Sequence, residues 1–196
     1  IAQSVGGEET HEYFDYVIVG NGHNSIPYCA TDRLKNLEAF KGKTIHSHNF
    51  RDAHSDEYKG KNILIIGSKW SGMDMLFQFL GAKDESKMTD FNTITVAQGH
   101  FGFLHKSSNF KKYKDEGKVI IKSGDNITFT EDKVKFEDGT EQSIDVVIFC
   151  TGYQYKFPFL KDDSIIKIEH NGQYFGPLYK RIFSINEPTL IFIGLC

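Results

Sequence analysis

"KNILIIGSKWSGMDMLFQFLGA" (61–82) decides how the rest of the chain is read. After Asn62 the run to Ile66 is wholly apolar, as in a strand covered on both faces of a parallel sheet. Gly67 then permits a sharp turn. From Ser71 the spacing changes: Met75, Leu76, Phe79 and Leu80 recur at helical intervals, and Gly81 suits a helix end. The spacing predicts a strand over 61–67 and a helix over 71–82, with Gly72 letting the helix lie close to the strand.

A helix start that follows a glycine turn offers unpaired N–H groups and a partial positive charge to an anion. The stretch therefore reads as a dinucleotide fingerprint with one departure. Lys69 stands where the pattern has its second glycine. A Cβ there blocks close backbone approach, but the ammonium can meet a phosphate directly, with Trp70 as a stacking wall. A plain strand-to-helix turn would carry the same residues, because degenerate glycine patterns match often. The tip of the next strand, "FNTITVAQG" (91–99), bears on the choice of nicotinamide cofactor. Gln98, Gly99 and His100 include no carboxylate to repel a 2′-phosphate and no arginine to attract one. NADPH is thus allowed without a marked preference, and the same residues also read as an exposed loop.

Working outward, the other strands fit the same plan. "YFDYVIVG" (13–20) reads as a buried strand, and residues 1–12 as a partner strand of a hairpin turning at "GGEE". Pro27 argues against a helix in "NGHNSIPYCATDRLKN" (21–36). "KTIHSH" (43–48) is a short strand candidate. "KVIIKS", "NITFT" and "KVKFEDG" read together as an antiparallel ribbon with polar turns. "SIDVVIFCTGY" (143–153) is a final buried strand, and from 154 the chain looks looser until "TLIFIG" (189–194). A β-turn-α-β order of this kind begins a doubly wound α/β unit.

Bulk properties exclude several classes. The chain has 196 residues and a net charge of -3, so no strong basic field exists to hold nucleic acid. The lysines of "NFKKYKDEGK" (109–118) are interleaved with acids and read as a solvated face. Cys29, Cys150 and Cys196 lack metal-ligand spacing and suggest reduced, buried thiols in a cytosol-like compartment. His46 and His48 have no Cys or acid beside them to complete a ligand set, so no metal site is expected. No serine sits in a nucleophile elbow with matched partners. No apolar run reaches membrane-spanning length, and no signal-peptide pattern opens the chain. The first residue is Ile1 and the last stretch is an apolar strand, so a fragment of a longer protein is expected.

Several pieces together resemble one family. "FKGKTIHSHNF" (40–50) fits F-x-G-x-x-x-H-x-x-x-[FY] through Phe40, Gly42, His46 and Phe50. That is the identifying motif of flavin-containing monooxygenases. "FDYVIVGNGHNSIP" (14–27) resembles that family's strand and G-H-x-S-x-P linker. "GSKWSGMD" (67–74) resembles its G-x-G-x-S-G-x-D loop minus one glycine. "IFCTGYQYKFPFL" (148–160) resembles its F-A-T-G-Y linker, with Cys150 for the alanine; "LYKRIF" and "PTLIFIGL" resemble later segments. Phe50-Arg51 stands where Baeyer–Villiger relatives carry W-[PD], which favours the N- and S-oxygenating branch.

The resemblance implies a Rossmann-like NADPH-binding domain inserted into an FAD-binding domain, with an antiparallel β ribbon. Residues 1–25 and 151–196 would belong to the FAD domain, and 26–150 to the NADPH domain. Gly67, Ser68, Lys69, Trp70, Ser71 and Gly72 would hold the pyrophosphate. Gln98, Gly99 and His100 would meet the adenosine ribose. Gly22, His23 and Ser25, with Thr151, Gly152 and Tyr153, would line the seam between domains. The family oxygenates a soft nucleophile, an amine nitrogen or a sulfide sulfur, with O2 through a C4a-hydroperoxyflavin. Its N-terminal FAD fingerprint and the asparagine it places near the flavin are absent, so no catalytic residue carries over. His46 reads as a packed, hydrogen-bonded core histidine. Localisation would be cytoplasmic, or the cytosolic face of an internal membrane for a longer protein. Two other readings stand beside this one. A catalytically inactive nucleotide-binding module fits the missing fingerprint, and upstream sequence would discriminate. A pyridine-nucleotide disulfide reductase relative would need a redox cysteine pair, which the chain lacks.

Overall fold

The computed structural model describes residues 2–3, 9–81, 88–98, 108–160 and 164–195. They form two compact units: Ile1–Ile26 with Tyr153–Cys196, and Pro27–Gly152, which is inserted into the first along the chain.

The inserted unit is built on a five-stranded parallel sheet. Its strands, in chain order, are β1 (Lys43–His46), β2 (Asn62–Ile66), β3 (Thr93–Gln98), β4 (Val119–Ser123) and β5 (Val146–Phe149). Their spatial order is β1-β5-β2-β3-β4. Helix α1 (Trp70–Phe79) connects β2 to β3, and α2 (Ser108–Asp115) precedes β4.

Alternation along the strands explains why the central ones, β2 and β5, are almost wholly apolar. Ile63, Ile65, Ile94, Val96, Val146 and Ile148 face one core, with Leu76 and Phe79 of α1, Phe110 and Tyr113 of α2, and Phe50 and Tyr58. Leu64, Ile66, Ala97, Val147 and Phe149 face a second core with Phe129, Val134 and Phe136. At the centre of the sheet neither face meets water, so apolar residues predominate there, while Lys43, Thr44 and Ser123 on the edge strands are exposed. The second face is covered by a mixed sheet in which Ile127–Phe129, Lys133–Lys135 and Glu141–Ser143 run antiparallel, with Leu34–Lys35 parallel to the first. An antiparallel ribbon therefore occupies the layer that helices fill in a doubly wound fold. Thr95, fully buried on that side, donates its hydroxyl to Gln142 Oε1 at 2.6 Å.

Four sequence expectations need correction. "KVIIKS" is not part of the ribbon: β4 pairs in parallel with β3, from Ile94↔Val119 to Gln98↔Ser123. The lysine-rich stretch before it is helix α2, which buries Phe110 and Tyr113 and exposes its lysines. Two apolar residues three apart suffice to dock a short helix, and the surrounding charges hid them. "YFDYVIVG" forms only a short strand, Val17–Val19, of which only Val19 is buried; Tyr13, Phe14, Tyr16, Val17 and Ile18 are exposed. It stands at the edge of its sheet with one neighbour, Leu190–Phe192. Cys29 is half-buried rather than buried, whereas Cys150 is buried; both are free, and Cys196 lies outside the described residues.

The N-terminal hairpin pairs Ala2–Gln3 with Glu9–Thr10, so Glu9 belongs to a strand and not the turn. In the same unit, Leu178–Tyr179, Phe183–Ser184 and Leu190–Phe192 run antiparallel, followed by Val17–Val19 parallel to the last. Lys167–Glu169 pairs with Tyr174–Gly176. Val19, Phe157, Leu190, Phe192 and Leu195 make the core, with Phe157 and Phe192 rings 5.1 Å apart. The stretch after 154 is thus more regular than its sequence suggests. One of its turns, at His170 (φ 51), Asn171 (φ 55) and Gly172 (φ 80), uses residue types that favour left-handed backbone. The other places Lys180 (φ 51) and Arg181 (φ 60) there at a cost of about 1 kcal/mol each, so turn propensity gave no signal for it.

Phe79 binds α1 to the aromatic group on its face, with its ring 5.6 Å from Phe50, 5.4 Å from Tyr58 and 6.4 Å from Phe91. It is fully buried. Phe79→Ala is expected to destabilise the chain by about 3–5 kcal/mol in denaturant titrations; a loss below about 1 kcal/mol would contradict this packing.

Candidate nucleotide site at the sheet switch point

The strand order reverses between β2 and β5. From β2 the chain proceeds outward through β3 and β4, then returns to place β5 on the other side of β2. Ligands of open α/β sheets bind beyond the carboxyl ends of strands at such a reversal. The loops there are 67–72 after β2 and 150–152 after β5.

They meet closely. Gly67 has φ 103, and a Cβ on it would lie 2.5 Å from the Cys150 carbonyl oxygen. A Cβ on Gly72 would lie 2.0 Å from the Gly67 carbonyl oxygen. Both glycines are required by packing: the first by the turn and by Cys150, the second by the approach of α1. Lys69 is different. Its backbone is extended (φ -76, ψ -163), a conformation open to any residue. Lysine therefore costs the turn nothing, and what it changes is the surface offered to a ligand.

That surface suits an anion. No side chain caps α1, and its first turn holds no acidic residue. Met73 N–H makes the first intrahelical bond, to Lys69 C=O at 3.0 Å. Lys69 and Trp70 are exposed, Trp70 at 78%, while Ser68 and Gly72 are buried and Ser71 is half-buried. A diphosphate would meet amide donors and an ammonium with no carboxylate in the first turn to oppose it. The residues present thus fit a dinucleotide pyrophosphate.

Loop 150–152 is fastened from several sides. Cys150 N–H donates to Ile66 C=O at 2.8 Å, and Tyr28 N–H donates to Gly152 C=O at 2.9 Å. The Thr151 hydroxyl donates to Tyr28 C=O. Ser47 hydrogen-bonds the Cys150 thiol, but burial dominates and pushes its pKa up to about 12. Cys150 is thus a packed, protonated thiol. Sequence reading missed Tyr28, and no local pattern marks it, because its partners lie more than a hundred residues away.

The motif residues have packing roles. Phe40 is buried against Phe129, their rings 5.5 Å apart. Gly42 has no room for a side chain: a Cβ would lie 2.3 Å from the Phe40 ring and 2.5 Å from Asp145 C=O. His46 ends β1 and is buried, and His48 follows in a 3-10 turn rather than on the strand. His46 Nδ1 accepts from His48 N–H at 3.0 Å, and the ring also hydrogen-bonds the Gly152 backbone. Burial holds its pKa below the ordinary histidine value; the Gly152 bond opposes that shift and the nearby His48 adds to it.

The remaining expected residues are distributed between the units. Gln98 closes β3, while Gly99 and His100 lie outside the described residues. Gly22 (φ 72), His23, Ser25 and Tyr153 belong to the first unit; Thr151 and Gly152 belong to the inserted one. His23 Nδ1 lies 3.2 Å from Gly194 C=O.

A buried imidazole that resists protonation makes folding pH-dependent. Below about pH 6.5 the unfolded chain binds a proton that folded His46 refuses. Stability is expected to fall with pH there, by at most about 1.4 kcal/mol per unit from this group, and to level off below the lowered pKa. His46→Gln should flatten that part of the profile in urea titrations between pH 5 and 7. An unchanged slope would show that this histidine does not govern it.

Comparisons with known proteins bear on the family of the chain. A family model described as flavin-binding monooxygenase-like matches residues 1–96 and 113–196. The chain is 35% identical over 193 residues to trimethylamine monooxygenase of Pelagibacter sp. (strain HTCC7211), covering 97% of this chain and 38% of that protein. It is 34% identical over 185 residues to senecionine N-oxygenase of Tyria jacobaeae, covering 94% and 37%. Among solved structures, S-allyl-L-cysteine S-oxygenase from Allium sativum aligns with a TM-score of 0.70 and 30% identity, over 92% of this chain and 37% of that one. The chain therefore spans well under half the length of these relatives. With the family model matching nearly its whole length, the chain belongs to the flavin-binding monooxygenase-like family.

Proposed function

We propose that this chain is the NADPH-binding portion of a flavin-dependent monooxygenase that oxygenates soft nucleophiles, an amine nitrogen or a sulfide sulfur. The observation that carries the reading is the uncapped start of α1 beside exposed Lys69 at the sheet's switch point. Family membership and the names of the relatives, a trimethylamine monooxygenase, a senecionine N-oxygenase and an S-allyl-L-cysteine S-oxygenase, support the reaction class.

In this reading Gly67 and Gly72 shape the turn, and the amides of Ser71 and Gly72 with the Lys69 ammonium bind the pyrophosphate. Trp70 gives the bound dinucleotide an aromatic wall. Gln98, Gly99 and His100 meet the adenosine ribose. The first unit supplies part of an FAD-binding domain. The flavin, when bound, supplies the activation of O2, and the protein positions cofactor and substrate and keeps water out. Among the described residues no helix is long and apolar enough to cross a membrane.

Lys69→Gly restores the glycine of the usual fingerprint and removes the ammonium. If the charge contact operates, NADPH binding should weaken about fivefold at low salt, the equivalent of about 1 kcal/mol. The difference should shrink as salt rises. Titration calorimetry at two ionic strengths reads both effects; unchanged or tighter binding would remove the contact.

A further inference from the structure

A second concavity lies wholly within the first unit. It encloses about 430 Å³, and its apolar wall is Tyr155, Tyr174, Phe175, Leu178 and Leu195. That wall is firmly held. The Tyr155 and Phe175 rings are 4.4 Å apart, Phe175 packs 5.5 Å from Phe157, and the Tyr155 hydroxyl lies 3.4 Å from Leu195 C=O. Two polar side chains complete the lining, Gln173 and Arg181. The Gln173 amide is fixed by donation to Tyr153 C=O at 2.8 Å. None of the lining residues is acidic, so Arg181 brings the pocket a positive charge with no carboxylate in the wall to neutralise it.

The backbone beneath Arg181 is the second observation. Ile182 N–H donates to Tyr179 C=O at 3.1 Å, closing a β-turn in the three-residue connection between Leu178–Tyr179 and Phe183–Ser184. Both central residues, Lys180 and Arg181, have positive φ, which is the preference of Asn-Gly and not of long cationic side chains. Lys180 lies over the Tyr179 ring, 5.5 Å from its centroid, and Arg181 lines the cavity. Strained backbone of this kind clusters at ligand-contacting positions, which motivates a binding role for Arg181.

We infer that this pocket binds an organic anion: a carboxylate on a flat or short apolar body. The carboxylate pairs with the Arg181 guanidinium, which presents a planar fork suited to it. The apolar body lies on Tyr155, Phe175, Leu178 and Leu195. This site uses no residue of the nucleotide loop and does not depend on that reading.

The test uses the 196-residue chain with no added nucleotide or flavin, and two probes, 4-(methylthio)benzoate and its methyl ester. Calorimetry should show the carboxylate binding about tenfold tighter than the ester. Arg181→Asn tolerates left-handed backbone and removes the charge, so it should abolish that preference without lowering Tm. Arg181→Gly should abolish it too and raise Tm by about 2–4 °C. Both variants should bind NADPH as the parent chain does, which separates a failure here from a failure of the Lys69 reading. The proposal is overturned if neither probe binds, if acid and ester bind alike, or if the preference survives in Arg181→Asn.

Discussion

The inserted unit depends on one close approach, the Cys150 carbonyl against the turn at Gly67. The oxygen occupies the space a side chain at residue 67 would need, and the carbonyl of Gly67 does the same to residue 72. Three chain segments are therefore stacked backbone on backbone: the exit of β5, the turn after β2 and the start of α1. Side chains could not bring them so near. This stacking sets where α1 begins, and so where its amide-rich end opens to solvent. The site's geometry follows from a packing constraint, not from polar residues gathered for a ligand.

Lys69 shows how the same constraint leaves room for change. Two of the three fingerprint glycines are excluded from substitution by neighbouring carbonyls. The third position has ordinary backbone and is exposed, so packing does not dictate its residue. The family motif divides similarly. Phe40, Gly42, His46 and Phe50 touch two cores and the crossing at Gly152, and they mark the fold more directly than any chemical step.

Much of this was legible in the sequence because the signals were local. The run Ile63–Ile66 and the Met75, Leu76, Phe79 and Leu80 spacing report the strand and helix directly. The glycines at 67 and 72 mark the turn for the reason the structure gives. Non-local pairing was not legible. Val119–Ser123 is a short run ending at a Gly-Asp-Asn turn, as ribbon strands do, and only β3 beside it shows that it continues the parallel sheet. Helix α2 displays two buried rings among lysines, too few for a periodic signal. Tyr28 joins Thr151 and Gly152 across most of the inserted unit, a relation that no window of residues contains. Lys180 and Arg181 oppose the turn they form, so composition pointed away from a hairpin there.

The bond from Thr95 to Gln142 has a consequence for alignment. A hydroxyl with no access to water must keep its acceptor, and Gln142 is held by Lys133–Lys135 beside its strand. Sliding β3 by one residue would turn Thr95 toward Phe79 and Phe91 and carry an isoleucine or valine to the amide instead. The pair works as a locating pin between the two layers, fixing how far β3 projects at the rim.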